Sequence, residues 1–173
     1  MEPTQIQQTG YELPLAEART LAARLGCREK VLAYITRRPD ELLVFEHESG
    51  FVDAGIQVPA GGMEPGETPE MAVLRETLEE SGLSLSGPTH LASFHWTRGE
   101  RSQIWHYYGL TAPPQTPDAW THRVTDGERD RDLLFHLRFT PLSHPDLIGG
   151  YGYDAALSHL TRHLAAALQG APA

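Results

Sequence analysis

The stretch that most constrains this chain is Gly61–Leu83, GGMEPGETPEMAVLRETLEESGL, a glycine loop that feeds an acidic helix. Thr68 has the chemistry of an N-cap, Pro69 suits the first helical position, and Gly82 suits the left-handed residue that stops a helix. The spacing therefore predicts a helix from Thr68 to Ser81. On it Glu76, Glu79 and Glu80 stand at i, i+3 and i+4 and project as neighbours. Val73, Leu74, Thr77, Leu78 and Ser81 fall on the other side and are expected to pack on a sheet. Three carboxylates on one turn repel each other by a few tenths of a kcal/mol per pair. A salt-bridged, solvated helix face is the ordinary explanation. A hard divalent cation would also relieve the repulsion, and Mg²⁺ is the usual match for a few carboxylates plus phosphate oxygens.

Around that helix the chain reads as alternating elements. A helix is expected over Pro14–Gly26 from the spacing of Leu15, Ala18, Leu21, Ala22 and Leu25. Val31–Ile35 and Leu42–Phe45 read as strands joined by a turn at Arg37–Asp40. Phe51–Val58 reads as extended, ended by Pro59, Gly61 and Gly62. Leu91–Trp96, Ile104–Leu110 and Leu133–Phe139 read as strands, and Tyr153–Leu168 as a closing helix with a leucine–alanine stripe. Leu110 to Asp132 shows no periodicity and reads as a long loop. With no repeat and no linker, residues 1–173 are expected to form one α/β domain with helices on both faces of a mixed sheet.

Composition narrows the partners. The 173 residues carry a formal net charge of −9 and 40% apolar residues. That suits a globular domain and supplies no basic face for nucleic acid. No apolar run reaches the roughly 18 residues of a membrane span, and polar Met1–Gly10 does not resemble a secretory signal. Cys27 is the single cysteine, so neither an internal disulfide nor a cysteine-based zinc site is expected. A cytoplasmic location is the default, and a homodimer is left open. Short basic groups remain: Arg37–Arg38, Arg98 with Arg101, and Arg123 with Arg129 and Arg131. They suit a small anionic ligand or are solvated loop arginines.

The glycine-to-leucine segment is similar to the Nudix box. In that pattern a Gly precedes a Glu by six positions, and an Arg-Glu pair, a Glu-Glu pair and a Gly-aliphatic pair follow. Gly61, Glu67, Arg75, Glu76, Glu79, Glu80, Gly82 and Leu83 all fall in place, and the one departure is Thr77 where an aliphatic residue is preferred. The resemblance is specific over about 23 residues. It implies the Nudix α/β/α sandwich and a pyrophosphohydrolase of the class that acts on acid anhydrides. The substrate would be a nucleoside diphosphate derivative or a nucleotide, and the cofactor Mg²⁺, with Mn²⁺ as substitute. It implies Glu76 and Glu80 as main metal ligands, Glu79 as a direct or water-mediated one, and the Gly61 carbonyl as a further oxygen. Arg75 and Glu67 would form a supporting ion pair. The proton acceptor would be Glu76 or an acid on a later loop, for which Glu128 is the candidate, followed by Asp126, Asp130 and Asp132.

Substrate contacts are less determined, because the residues that mark known substrate subgroups are not found around the box. Arg98, Trp105 and Trp120 are candidates, Trp105 and Trp120 by stacking on a base. On the strand through residue 105, positions 104, 106 and 108 share one face and 105, 107 and 109 the other. His106 and Trp105 therefore cannot both line a pocket. His95, His106, His122 and His136 lack the close spacing of a histidine metal motif. Two other functions stay open: a nucleotide-sensing Nudix-fold module, disfavoured by the intact glutamates, and an isoprenyl diphosphate isomerase-like enzyme, disfavoured by the lack of a cysteine near the box.

Overall fold

The computed structural model describes residues 8–48, 55–124 and 132–170. Strands β2 (Arg28–Thr36) and β6 (Arg101–Thr111) form its centre. Both are nearly continuous apolar runs, as expected of strands covered on two faces, and they pair in parallel with Val31 opposite His106. β6 continues antiparallel into β5 (Thr89–Arg98) through a tight turn at Gly99, whose φ is +61°. β1 (Thr9–Leu13) adds outside β5, and β4 (Ala60–Gly62) adds antiparallel to β2. The five-stranded order is β1-β5-β6-β2-β4. A separate antiparallel sheet of order β3-β8-β7 is built from β3 (Glu41–His47), β8 (Leu134–Pro141) and β7 (Ala119–Arg123). A Phe45–Gln57 bridge ties β3 to the segment that leads into β4.

Alternation along β2 separates two cores. Val31, Ala33 and Ile35 point to a cluster with Tyr108, Leu43, Phe45 and Phe135, capped by Ala72 and Val73 of α2 (Pro69–Ser81). Leu32 and Tyr34 point the other way, to a cluster with Tyr107 and Trp105 closed by Leu160 of α3 (Leu157–Gln169). A third, smaller cluster seats α1 (Leu15–Leu25) on Ile104 through Ala18 and Ala22. Helices thus cover both faces of a mixed sheet, as the sequence leads one to expect.

The differences are local. β1, β4 and β7 are strands where none was read. β4 pairs through the very residues, Ala60–Gly62, taken as the end of an extended segment, and β7 lies inside the supposed loop 110–132. Each is short and is fixed by a partner strand rather than by its own pattern. The closing helix begins at Leu157, since residues 153–156 form turns. On α2 the expected sheet-facing side holds for Val73, Leu74, Thr77 and Ser81 but not for Leu78, which is 50% exposed, and Glu76 and Glu80 are buried as well, at 8% and 5%. Residues 51–54 of the Phe51–Val58 reading lie outside the described residues. Among the described residues no helix is long and apolar enough to cross a membrane.

Candidate functional site

The acidic helix is positioned by its ends. The Thr68 hydroxyl accepts the Met71 N–H at 3.2 Å, Pro69 follows, and Gly82 closes the helix at φ +77°. Such a cap is worth about 1 kcal/mol. The other wall is β4, held to β2 at Lys30–Leu32. A Cβ on Gly61 would strike the Glu76 carboxyl group, so only glycine lets the main chain lie against that carboxylate. One residue earlier, the Ala60 N–H donates to Glu80 Oε2 at 2.9 Å. Loop and helix are thus fastened through the two buried glutamates.

Arg75 organises the remainder. Its guanidinium grips Glu67 with Nε–Oε1 at 2.6 Å and Nη2–Oε2 at 2.9 Å, and it also donates to the Gly62 carbonyl at 2.9 Å. Nη1 reaches Glu76 at 2.7 Å and Glu79 at 3.3–3.4 Å. The Glu67 carboxylate accepts in addition the Glu64 N–H at 2.8 Å. These bonds hold Glu67 below the ordinary carboxylate range, chiefly through Arg75, and raise Arg75 above its ordinary value. Glu76 moves the other way. Burial pushes its carboxyl up, Arg75 opposes this, and the charges of Glu79 and Glu67 add to it.

Among the described residues no three acidic or histidine side chains converge on one point, because Arg75 draws Glu76 and Glu79 while Glu80 turns to Ala60. The donor set nevertheless suits a hard cation. It comprises carboxylate oxygens at low exposure and a neighbouring glycine main chain, and burial holds the Glu76 carboxyl above its ordinary range despite Arg75.

Glu80 and Gly61 floor a cleft of about 420 Å³, walled by Phe45, His47 and Phe135 and edged by Arg28 and Lys30. A second cleft of about 240 Å³ continues from it, with Lys30, Gln103 and Tyr153 common to both. Two sequence candidates, Arg98 and Trp105, line this second cleft. Trp105 offers little surface for stacking: it is 7% exposed, and the Lys30 ammonium stands 4.6 Å from its ring centre. Trp120 lines neither cleft. Its indole N–H donates to the Ser81 carbonyl at 2.9 Å, which ties β7 to the end of α2. Glu128, with Asp126 and Asp130, lies outside the described residues, as do Arg129 and Arg131. Asp132 offers its carbonyl to Arg123 at 2.9 Å.

The other singled-out residues have partners elsewhere. Arg37 is locked to Glu41, Asp118 and the Thr116 carbonyl. His106 is sealed between Glu29 and Ser93, His95 bonds Ser102 and Tyr11, and His122 bonds the Glu79 carbonyl, while His136 is exposed. Arg28, Lys30, Gln103 and Tyr153 escaped the sequence reading. One signal was present: Arg28 and Lys30 alternate with Glu29 at the start of a strand, which puts two cations on one face.

A family model described as the NUDIX domain matches residues 28–143. The fold is similar to that of the Bacillus subtilis pyrophosphohydrolase BsRppH in a mutant form, at TM-score 0.59 and 18% identity over 92% of each chain. It is similar also to a MutT NUDIX hydrolase from Burkholderia pseudomallei, at TM-score 0.56 and 23% identity over 76% of this chain and 96% of that one. A protein described as an ADP compounds hydrolase aligns at TM-score 0.58 and 21% identity, over 83% of this chain and 75% of its own.

Proposed function

The chain belongs to the Nudix family, and on that premise we propose that it is a divalent-metal-dependent hydrolase, using Mg²⁺ or Mn²⁺, that cuts the pyrophosphate bond of a nucleoside diphosphate derivative or nucleotide. One observation carries the reading. The two box glutamates, at 8% and 5% exposure, sit against the β4 main chain, and Glu80 with Gly61 lines a cleft edged by Arg28 and Lys30. Burying carboxylates side by side costs stability, and a substrate-facing cation compensates for it. The structural neighbours, a pyrophosphohydrolase and an ADP compounds hydrolase, support this class.

Glu76, Glu80 and Glu79, with the Gly61 carbonyl, would hold the cation. Bound there, it would supply charge neutralisation for the diphosphate and acidify a water. The protein's own residues do the remainder. Arg75 and Glu67 fix the helix against the loop, and Arg28 and Lys30 present positive charge to the phosphates. Glu76 or Glu128 accepts the water's proton. The whole chain is read as one domain, acting on a small molecule rather than on nucleic acid or a membrane, in the cytoplasm.

The test is a panel of nucleoside diphosphate sugars, ADP-ribose, dinucleotides, nucleoside triphosphates and oxidised purine nucleotides, assayed with Mg²⁺, with Mn²⁺ and with a chelator. Turnover of at least one member that the chelator abolishes is the expected result. Tight binding of one member without turnover of any would make the protein a sensor instead.

A further inference from the structure

The second cleft lies beyond the box, and its charge is not spent on the protein. Arg98 and Arg101 are opposite each other at the end of the β5–β6 hairpin, both exposed, and neither has a carboxylate partner among the described residues. Arg98 rests on the Tyr151 ring at 5.6 Å. At the junction with the box cleft, Lys30 donates to the Tyr153 hydroxyl at 3.2 Å and likewise has no carboxylate partner there. In a chain of net charge −9, three cations gathered in a cleft whose described lining holds no acid need another source of negative charge.

The aromatic residues do not offer a base-stacking platform. Lys30 covers Trp105, and a Cβ on Gly10 would strike the Trp96 ring, so the β1 main chain already lies on that indole. Phe94 stacks on Trp96 at 5.3 Å and 15°. Trp96 and Trp105 are therefore packing material, the 43% exposed Tyr151 ring carries Arg98, and the recognition chemistry the cleft presents is cationic. Arginine pairs are suited to a dianionic phosphate because each guanidinium can donate two parallel N–H bonds. At about 240 Å³ the cleft takes a fragment rather than a whole nucleotide.

We propose that the cleft between Arg98, Arg101 and Lys30 binds a further phosphate group of the substrate, one that is not part of the bond being cut. The substrate class is then an organic diphosphate bearing an additional phosphate, either at the end of a longer polyphosphate chain or as a phosphomonoester on the sugar. This rests on the reading of the box cleft as the hydrolytic centre.

The test is calorimetric binding to the full chain in chelator, so that no probe is consumed, with three probes: ADP, ATP, and adenosine 3′-phosphate 5′-diphosphate. One or both probes with the extra phosphate should bind at least tenfold more tightly than ADP, on the scale of a charge-assisted hydrogen bond. Whichever of the two gains identifies the source. Arg98→Ala and Arg101→Ala should each reduce that preference to within about twofold, with ADP affinity changed less than threefold. Both side chains are exposed, and unchanged melting temperatures would certify the fold. Equal binding of all three probes, or a preference that survives both variants, would overturn the proposal. The hydrolase reading falls separately, through absence of metal-dependent turnover, and would leave a binding preference standing.

Discussion

The two faces of β2 and β6 carry similar residue types in opposite circumstances. On the face toward α1, Glu29 accepts from the His106 ring at 2.9 Å and lies 3.5 Å from Arg19. His106 shares a 2.7 Å bond with Ser93, and Ser93 one of 2.8 Å with His90. That chain of polar groups is closed on itself, with His106 and Ser93 at 0% exposure. On the opposite face Arg28, Lys30 and Gln103 line clefts, and neither cation forms an ion pair with a carboxylate among the described residues. A satisfied buried network specifies the fold, whereas an unsatisfied charge on a cleft wall specifies a ligand. Position alone separates the two, since Glu29 and Lys30 are adjacent in the chain.

Breaking the closed face should produce the largest effect. His106→Ala leaves Glu29 and Ser93 without their partner and opens a cavity, at a cost of roughly 2–4 kcal/mol. Thermal unfolding should fall by roughly 5–15 °C while turnover per folded molecule is kept. The same variant reads out pH. Burial lowers the pKa of His106 and of His90, so both are neutral in the folded protein at a pH where they begin to protonate when unfolded. The unfolded state then binds the extra proton, and stability falls as pH drops below about 6.5. That slope should flatten in His106→Ala. An unchanged melting temperature and an unchanged slope would show that the closed face is not structural.

The open face should answer in the other currency. Lys30→Met keeps the apolar stem and removes the ammonium, which stands 4.6 Å and 5.0 Å from the Trp105 and Tyr153 ring centres. Stability should change by about 1 kcal/mol or less. KM should rise about tenfold with a smaller change in kcat, as for a contact made equally in ground and transition states. A variant that melted as early as His106→Ala with KM unmoved would erase the distinction between the faces.

How far the sequence carried depends on range. α2 was legible to the residue, because Thr68, Pro69 and Gly82 act within a few positions of the helix they bound. Gly61, Glu76 and Glu80 were legible through fixed spacing. Strands β1, β4 and β7 were not, since each is defined by a partner far along the chain, as Thr9 is by Thr97. The face of α2 was misjudged only at Leu78 for a related reason: periodicity ranks apolar residues inward, and here Glu76 and Glu80 are buried while Leu78 stays exposed. The second cleft was half legible. Arg98 with Arg101 stood out as a basic pair, but Lys30 meets Tyr153 across 123 positions, which no local pattern reports.

If the buried glutamates of the box hold a divalent cation, thermal unfolding of the wild type and Glu80→Gln, with Mg²⁺, with Mn²⁺ and with chelator, will register it. Binding to the folded state alone raises stability by about 2.7 kcal/mol at a hundredfold excess over Kd. The wild type should therefore melt several degrees higher with either cation. Glu80→Gln keeps a side-chain oxygen to accept from the Ala60 N–H. It should respond little to either cation, and turnover should be at least two orders of magnitude lower. A wild type indifferent to millimolar Mg²⁺ and Mn²⁺, or a Glu80→Gln variant that gains as much from them as the wild type, would mean that the box glutamates do not hold the cation.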